Sequence, residues 1–444
     1  MAEHIENSNT RKRVCEISEY DGPSRPCHRR KRHCNIGLCN NQVDSSEKNH
    51  LFAEVPERIL KNVTRALERL LVDNLGRRIV RLAPLKLLNC NAADSSLFSD
   101  AYCSMEAFDG EFSLWSLFQK GIQLLMDFID ADPEQESRVT ILPDTKQGEL
   151  ILDKLLHYLV EIDQQFHGEI GTPDRIHGAD LTIILANHLF GKVATSSKFL
   201  LNKQTKGNKK GNYKLSSCRC GTSNCKLTGR FGDTSIGNDQ VWHGDLDAII
   251  DDQVVLETHE GDTNSGYCLG DRSPADMERD HSVERVSRKQ EIIAKTITFS
   301  FLQKQRHPDY EHFLFPCISV GNDYMVVYFY DSEHDILLES SRIPLLGEEG
   351  QTNLLAVIIS WLVVNYKYTC DGLTEEMKDK QAGFISLAKS KLDVYERDLQ
   401  FGDVENDVPS DVQASQPQLV EESVPTLRQK LDKDRLKTLL KFSD

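Results

Sequence analysis

The sequence predicts an α/β fold in which helices flank a small mixed β-sheet, with a helical N-terminal region and disordered termini. Three observations predict it. Apolar residues recur at helical spacing between residues 51 and 200. A strand–turn–strand pattern begins near Gln240. A helical segment and further strands follow it, which is the order typical of α/β proteins.

Four amphipathic helices are predicted in the first half of the chain. In the first of them, apolar residues such as Ile59, Val63 and Leu67 lie on one face, and Pro56 suits a first helical turn. The predicted helices are 51–75, 112–129, 150–166 and 180–189.

The second half alternates between strands and helices. Two short strands, 241–250 and 254–257, flank a tight turn at Asp251, Asp252 and Gln253. The later predicted elements are a helix over 289–304, strands over 314–320, 324–330 and 336–339, and helices over 353–366 and 373–398.

Charge and composition divide the chain further. The 53 basic and 69 acidic residues give a net charge of −16, which excludes a uniformly basic nucleic-acid coat but permits a local basic groove. The predicted divisions are a disordered basic arm (1–50), a helical region (51–139), an α/β core (140–400), a linker (401–425) and a charged C-terminal helix (426–444). The arm holds two basic clusters, Arg11–Arg13 and Arg29–Arg32, which indicate either a bipartite nuclear import signal or a solvated tail.

Two segments inside the core carry opposite charge. Residues 198–230 contain nine basic residues and no acidic one, so we expect a loop that contacts nucleic-acid phosphates or is simply solvated. The candidate phosphate contacts are Lys203, Lys206, Lys209, Lys210 and Lys214. Residues 258–288 are polar and lack apolar periodicity, which predicts a mobile insertion.

No membrane span or signal peptide is predicted. The longest apolar run, Leu354–Val364, has eleven residues, too few to cross a bilayer. The polar N-terminus lacks the apolar stretch of a signal peptide. We therefore expect a protein of the nucleus or cytoplasm, with its 12 cysteines reduced.

Two carboxylates mark the most informative part of the sequence. Asp247 opens an apolar strand, and Glu257, ten residues later, ends the next strand. In an antiparallel pair joined by a tight turn, the start of one strand faces the end of the other. The sequence therefore predicts that Asp247 and Glu257 share one Mg²⁺, which prefers oxygen ligands and can activate water beside a phosphate.

These residues resemble the motif of the PD-(D/E)XK nuclease superfamily, which has the restriction-endonuclease-like fold. Gly244-x-x-Asp247 resembles the first part of that motif and Glu257 its second acid. Gln290, on the following helix, resembles a third position, and Glu161 or Glu149 is a candidate for an acid on a preceding helix. The resemblance covers residues 240–340 and implies Mg²⁺-dependent hydrolysis of nucleic-acid phosphodiesters.

One position departs from the family pattern. The family's lysine is expected two residues after Glu257, where this chain has His259. A histidine donates a hydrogen bond but titrates near neutral pH. Some members of the superfamily take the lysine from a neighbouring helix, and the candidates here are Lys289 and Lys295. The alternatives are a catalytically degenerate member that binds nucleic acid, or a protein-interaction module with an incidental Asp/Glu hairpin.

A second candidate site contains three cysteines. Cys218, Cys220 and Cys225 lie within eight residues and predict a zinc site that needs a fourth ligand, for which Cys268 and His243 are candidates. The pattern Cys34-x4-Cys39 with His28 and His33 is a weaker alternative in the N-terminal arm.

A further resemblance competes for the residues around Asp245. The run His243-Gly244-Asp245-Leu246 is similar to the catalytic loop of aminoglycoside-phosphotransferase-type kinases. Ile250 stands where that loop has a metal-binding Asn, which disfavours the kinase hypothesis.

Overall fold

The computed structural model describes residues 55–71, 80–130, 146–164, 178–206, 218, 220, 225–258, 274–321, 323–346 and 352–402. The helices, in chain order, are α1 (Glu57–Leu71), α2 (Gln119–Asp130), α3 (Lys146–Gln164), α4 (Gly178–Leu185), α5 (Pro274–Arg306), α6 (Leu354–Val364), α7 (Tyr366–Thr369), α8 (Glu375–Lys378), α9 (Phe384–Ala388) and α10 (Leu392–Arg397). A π-helical segment, Ala186–Phe190, continues α4 and is followed by one further helical turn, Gly191–Val193.

The strands are short in the middle of the chain and longer towards its end. They are β1 (Arg81–Cys90), β2 (Ser96–Leu97), β3 (Cys103–Ala107), β4 (Phe112–Ser113), β5 (Phe199–Asn202), β6 (Arg230–Gly232), β7 (Ser235–Gly237), β8 (Trp242–Asp245), β9 (Ala248–Ile250), β10 (Val254–Thr258), β11 (Leu314–Val320), β12 (Tyr324–Asp331), β13 (Ile336–Ser340), β14 (Ile343–Pro344) and β15 (Gln400–Phe401).

Eleven strands of the described chain form one mixed sheet. Nine of them follow the order β3-β1-β13-β12-β11-β10-β9-β5-β6, while β4 pairs with β1 and β14 with β12. Strands β10 and β11 are parallel, whereas β9–β10 and β11–β12 are antiparallel. A parallel pair needs a crossover connection, and α5 supplies it. The protein is therefore mixed α/β with a large sheet.

The predicted tight turn joins β9 to β10, but the predicted strand 241–250 is divided into β8 and β9, and β8 belongs to a separate four-stranded sheet with β15, β7 and β2. Asp251 and Asp252 have φ values of 51° and 59°, the left-handed conformation that tight hairpin turns require and that Asp tolerates. Every residue of both strands is buried. The pair lies inside the sheet, because β5 covers the other edge of β9 and β11 covers that of β10.

Aromatic side chains join the C-terminal segment to the centre of the fold. Phe384 lies 5.0 Å from Tyr395 and 5.7 Å from Phe301, measured between ring centroids. Trp242 packs against Phe384 at 5.7 Å, and its indole Nε1 donates a hydrogen bond to Asn91. Trp242, Phe299 and Phe301 are thus core residues.

The predicted sheet is too small, because strands in the supposedly helical first region were missed. Strand β1 pairs with β13 and β3, so that region contributes to the main sheet. Pro84 lies inside β1, and proline normally argues against an interior strand. The helix predicted over 112–129 begins only at Gln119, after β4 and a 3₁₀ turn.

Two later predictions also need correction. The segment 373–398 is not one helix but a series of short turns that includes α8, α9 and α10. The polar segment 258–288 is not a loop throughout, because Thr258 ends β10 and residues 274–288 begin α5. Polar residues form this part of the helix without the apolar periodicity on which the prediction depended.

The remaining C-terminal elements agree with the predictions. Strands β11, β12 and β13 match the predicted segments within one residue. Helix α6 begins after Asn353, whose side chain accepts a hydrogen bond from the Leu355 amide as an N-cap.

The basic arm, most of the linker and the charged C-terminal helix lie outside the described residues. Among the helices described, none has both the length and the apolar character that a membrane span requires.

Candidate active site

Asp247 and Glu257 meet at one edge of the β9–β10 pair. Their strands pair in the register Ala248↔Leu256, so the next two residues along face each other. The backbone amide of Asp247 donates to Glu257 Oε1 at 2.9 Å. The backbone amide and hydroxyl of Thr258 each donate to Asp247 Oδ2 at 2.9 Å. The two carboxylates are therefore held by the sheet itself.

Helix α5 lies over this edge and contributes charged side chains. Lys295 Nζ is 2.6 Å from Glu257 Oε2 and 2.8 Å from Glu291 Oε1. Arg288 Nη1 is 2.6 Å from Glu291 Oε2, and its Nη2 donates to the Thr258 carbonyl at 2.8 Å. Residues at this spacing of three and four share one helix face. The site therefore combines acids from two strands with cations from one helix.

Arg288 also lies between the two strand carboxylates. Its Nη2 is 3.6 Å from Asp247 Oδ2 and 3.7 Å from Glu257 Oε2. Both oxygens thus lie within 3.7 Å of one guanidinium nitrogen, so the two carboxylates share a positively charged neighbour. The Arg288 side chain is 30% exposed.

Burial controls the protonation of the site. Removal from water and the nearby charge of Asp247 raise the pKa of Glu257 to about 7. Burial also opposes the charge on Lys295, but the carboxylates of Glu257, Asp247 and Glu291 outweigh it and raise the Lys295 pKa. For Glu291, Lys295 and Arg288 outweigh burial and lower its pKa. Lys295 is therefore a fixed cation, whereas Glu257 titrates near neutrality.

Helix α4 reaches the same site through a hydroxyl contact. Thr182 Oγ1 donates to Thr258 Oγ1 at 3.1 Å, and Thr258 Oγ1 donates to Asp247 Oδ2. The backbone of Asp247 is fixed from the other side, because its carbonyl accepts the Asn202 amide of β5 at 3.0 Å. Three elements besides α5 thus position Asp247, namely β10 through Thr258, α4 through Thr182 and β5 through Asn202.

Of the three residues proposed on helix α5, Lys295 contacts Glu257 and the other two bind elsewhere. Lys289 Nζ is 2.7 Å from Glu339 Oε2 on β13. Gln290 Nε2 donates to the Cys103 carbonyl at 3.1 Å. His259 lies outside the described residues. The lysine that contacts Glu257 is therefore Lys295, which is supplied by α5.

The acid proposed on a preceding helix is engaged away from the strand carboxylates. Glu161 Oε2, on α3, is 3.1 Å from Lys192 Nζ. Glu149 lies in the first turn of the same helix and has no described bond to the site. The structure instead adds Glu291, from α5, as the third carboxylate.

Of the lysines proposed to contact phosphates, Lys203 is the one with a described side chain. Lys203 is exposed and forms an ion pair with Asp233. Lys209, Lys210 and Lys214 lie outside the described residues, and so does the side chain of Lys206.

The three cysteines form a cluster with a histidine that the sequence analysis missed. The ligand atoms of His188, Cys218, Cys220 and Cys225 all lie within 4.8 Å of one another, so this cluster could hold a metal ion. His188 Nε2 is 3.2 Å from Cys218 Sγ and 3.6 Å from Cys225 Sγ. His188 is fully buried, and Cys218 and Cys225 are 4% exposed.

The fourth member of the cluster differs from the two predicted candidates. Cys268 lies outside the described residues. His243 instead hydrogen-bonds through Nδ1 to the Val241 carbonyl at 2.8 Å and is not part of the cluster. His188 precedes Cys218 by 30 residues and lies in the π-helical segment, so no local spacing pointed to it.

Comparison with known proteins gives no relative from which to transfer a function. No protein-family model, curated protein or solved structure matches this chain.

Proposed function

We propose that the protein is a Mg²⁺-dependent nuclease-like protein that hydrolyses nucleic-acid phosphodiesters at the Asp247–Glu257 site. The contact that supports this most directly is the 2.6 Å pair between Lys295 Nζ and Glu257 Oε2. It provides the lysine that the motif lacks at His259. Two acids and a lysine at one sheet edge are the side chains that the resemblance to the PD-(D/E)XK superfamily calls for.

The order of elements around the site also supports this proposal. Helix α4 precedes β5, the β9–β10 pair follows, and the crossover helix α5 leads to β11, parallel to β10. We propose that this unit is a restriction-endonuclease-like core, extended by β12, β13, β1 and β3 on one side. The acids lie at the C-terminal end of β10 and the start of β9, next to the crossover helix.

The residues present fit one hard divalent cation. Asp247 and Glu257 would hold Mg²⁺, which supplies an activated water and stabilises charge on the phosphate. Lys295, fixed by Glu257 and Glu291, would orient the attacking water and hold it by donating a hydrogen bond. Arg288 would leave the space between the carboxylates and bind a phosphate oxygen, because a guanidinium pairs well with phosphate.

A catalytically degenerate nucleic-acid binder is the second candidate, and one observation favours it. Arg288 Nη2 already lies close to both strand carboxylates, so the protein partly neutralises them without a metal. If the guanidinium stays there, cation binding is weakened and hydrolysis is lost, while basic side chains continue to bind phosphates. A protein-interaction module would show neither activity nor salt-dependent nucleic-acid binding.

A nuclease assay on the full chain tests the proposal. Supercoiled plasmid, linear duplex, single-stranded DNA and RNA are incubated with Mg²⁺, Mn²⁺ or a chelator. We expect metal-dependent cleavage that falls at least about 100-fold in Asp247→Asn and in Lys295→Met. Asp252→Asn, in the exposed turn, and Lys289→Met, on the same helix, are matched controls that keep the activity.

Each outcome of this assay discriminates between the candidates. Cleavage that persists in Asp247→Asn indicates a contaminant and rejects the proposal. Binding without cleavage, with an affinity that falls steeply as salt is added, supports the degenerate binder. Absence of both leaves the protein-interaction alternative.

We also propose that the cluster of His188, Cys218, Cys220 and Cys225 takes zinc. Thiolate and imidazole ligands suit Zn²⁺ and disfavour Mg²⁺, which prefers oxygen. The spacing is close to that of a zinc site, because the ligands of one zinc ion lie about 4 Å apart at ordinary bond lengths and these four atoms lie within 4.8 Å of one another. This metal is separate from the one proposed at Asp247 and Glu257.

A further inference from the structure

We propose that the zinc of the His188–Cys218–Cys220–Cys225 cluster is a structural clamp that fixes the segment 225–232 to helix α4 and thereby supports the Asp247 site. Three protein thiols and one imidazole fill all four positions of a tetrahedral zinc site. A catalytic zinc keeps one position open for water or substrate. The donor set and its burial therefore indicate a closed, structural site.

The cluster joins segments that are distant in sequence. His188 is supplied by the π-helical continuation of α4, and the cysteines precede β6. Cys218 and Cys225 are also close through their backbones, since the Cys218 amide donates to the Cys225 carbonyl at 3.0 Å. One ion bound by these four residues therefore closes the cysteine segment on itself and attaches it to the helix.

A residue beside the cluster strengthens the same attachment. Asn187 Nδ2 donates to the Lys226 carbonyl at 3.1 Å, and its Oδ1 accepts from the Thr228 amide at 3.0 Å. Beyond these residues, β6 pairs with β5, whose neighbour is β9. The clamp thus sits where the chain enters the sheet.

The same helix connects the clamp to the acidic site. Thr182 lies six residues before His188, about 9 Å along the helix at 1.5 Å per residue. Its hydroxyl contacts Thr258, which in turn binds Asp247. Zinc at one end of this helical segment therefore steadies the hydroxyl contact near the other end. This last step rests on the proposed function, whereas the clamp holds whether or not Asp247 and Glu257 support hydrolysis.

The experiment uses the full chain purified under reducing conditions without added metal. We expect metal analysis to find about one zinc per chain. Co²⁺ exchange should produce the visible absorption of a tetrahedral site and the near-ultraviolet bands of thiolate ligands. Removal of zinc with a chelator should lower Tm by several degrees and speed proteolysis near residues 218–228, and adding Zn²⁺ back should reverse both changes.

Two variants separate the cluster from other thiols and imidazoles. Cys220→Ala truncates a half-buried ligand and should reduce zinc to about a tenth or less, as should His188→Ala. Cys90→Ser and His157→Ala, outside the cluster, should keep the metal. The chelation cycle needs no variant, so the proposal remains testable if a variant fails to fold.

The possible results divide clearly. Zinc retained by both Cys220→Ala and His188→Ala, iron in place of zinc, or a disulfide within the cluster under reducing conditions would overturn the clamp. Zinc binding that leaves Tm and proteolysis unchanged would also overturn it. Zinc that is lost from both ligand variants and whose removal reversibly lowers Tm, together with a nuclease assay that is negative for every substrate, would support the clamp and reject only the hydrolytic proposal.

Discussion

Lys295 and Glu257 form a buried ion pair between residues 38 positions apart, with 2.6 Å between Nζ and Oε2. Neither side chain is more than 3% exposed. A buried ion pair contributes little more to stability than an apolar pair of the same shape, but removing one partner leaves an uncompensated buried charge. The pair therefore makes folding of the site depend on both residues.

Lys295→Met should destabilise the protein by about 3 kcal/mol at pH 8, because the buried Glu257 must then either carry an uncompensated charge or take up a proton. Without Lys295 the pKa of Glu257 in the folded chain rises further above its unfolded value, so the deficit of the variant relative to the wild type should grow as pH rises from about 5 to 8. Urea unfolding at both pH values measures this. Lys61→Met, on an exposed position of α1, should change stability by less than about 0.5 kcal/mol. A pH-independent deficit in the variant would contradict the explanation.

Metal binding at Asp247 and Glu257 should weaken as the pH falls through about 7, because burial raises the pKa of Glu257 to about 7 and protonation removes a ligand charge. Between pH 8 and pH 6 the ionised fraction falls about tenfold, and Mg²⁺ affinity should follow. Calorimetric titration of Mg²⁺ in buffers of constant ionic strength measures it. An affinity that is the same at both pH values would exclude Glu257 as a ligand.

Arg288→Gln should bind Mg²⁺ several-fold more tightly than the wild type, since a positive charge within 3.7 Å of both carboxylates is removed. It should also cleave or bind nucleic acid less well, because a phosphate contact is lost. The opposite changes in the two affinities distinguish this role from a loss of folding. Arg342→Gln is the matched control, because Arg342 stacks on Tyr324 and has no described ion pair with the three carboxylates of the site.

Gly244→Ala should destabilise the protein by about 1–3 kcal/mol. The φ of Gly244 is +141°, and an added Cβ would lie 3.1 Å from Phe98 Cδ2. Gly321→Ala is a suitable control, because no left-handed φ is required there and the nearest atom to its Cβ would be 3.6 Å away. Thermal unfolding compares the two. A similar Tm for both variants would show that Gly244 is not required by the backbone.

Phe384→Ala should cost about 3–5 kcal/mol, because it opens a cavity among Trp242, Phe301 and Tyr395. Guanidinium unfolding measures the change, and Leu97→Ala, half exposed in β2, should cost far less. Equal losses for both variants would show that the aromatic cluster does not anchor the C-terminal segment.

Local patterns in the sequence were sufficient to predict the strands around the acids. The β-branched and apolar residues of β9 and β10, the Asp251–Asp252 turn and the apolar run of α6 each carry their own signal. The placement of Asp247 opposite Glu257 follows from that turn. These features depend on neighbours in sequence, so no long-range information was needed.

Tertiary contacts decided what the sequence did not reveal. Strand β1 contains Pro84 and is stabilised by pairing with β13, about 250 residues later, which no local pattern records. His188 precedes Cys218 by 30 residues, so no local pattern indicates it as a ligand either. Arg288, Glu291 and Lys295 did carry a usable signal, because their spacing places them on one helix face. Glu291 and Lys295 fall in the predicted helix 289–304 and Lys295 is a predicted site lysine, but Arg288 falls in the segment 258–288, for which the sequence predicts a mobile insertion, so the face shared by all three is not apparent.

The charges around Asp247 have a consequence for the order in which ligands arrive. Three carboxylates, Asp247, Glu257 and Glu291, face two cations, Lys295 and Arg288, so the described site carries one excess negative charge when all are ionised. A polyanion is repelled by such a site until a divalent ion reverses the sign. We therefore expect Mg²⁺ to bind before the phosphate backbone. The rate of association with nucleic acid should rise with Mg²⁺ concentration until the site is saturated with the metal.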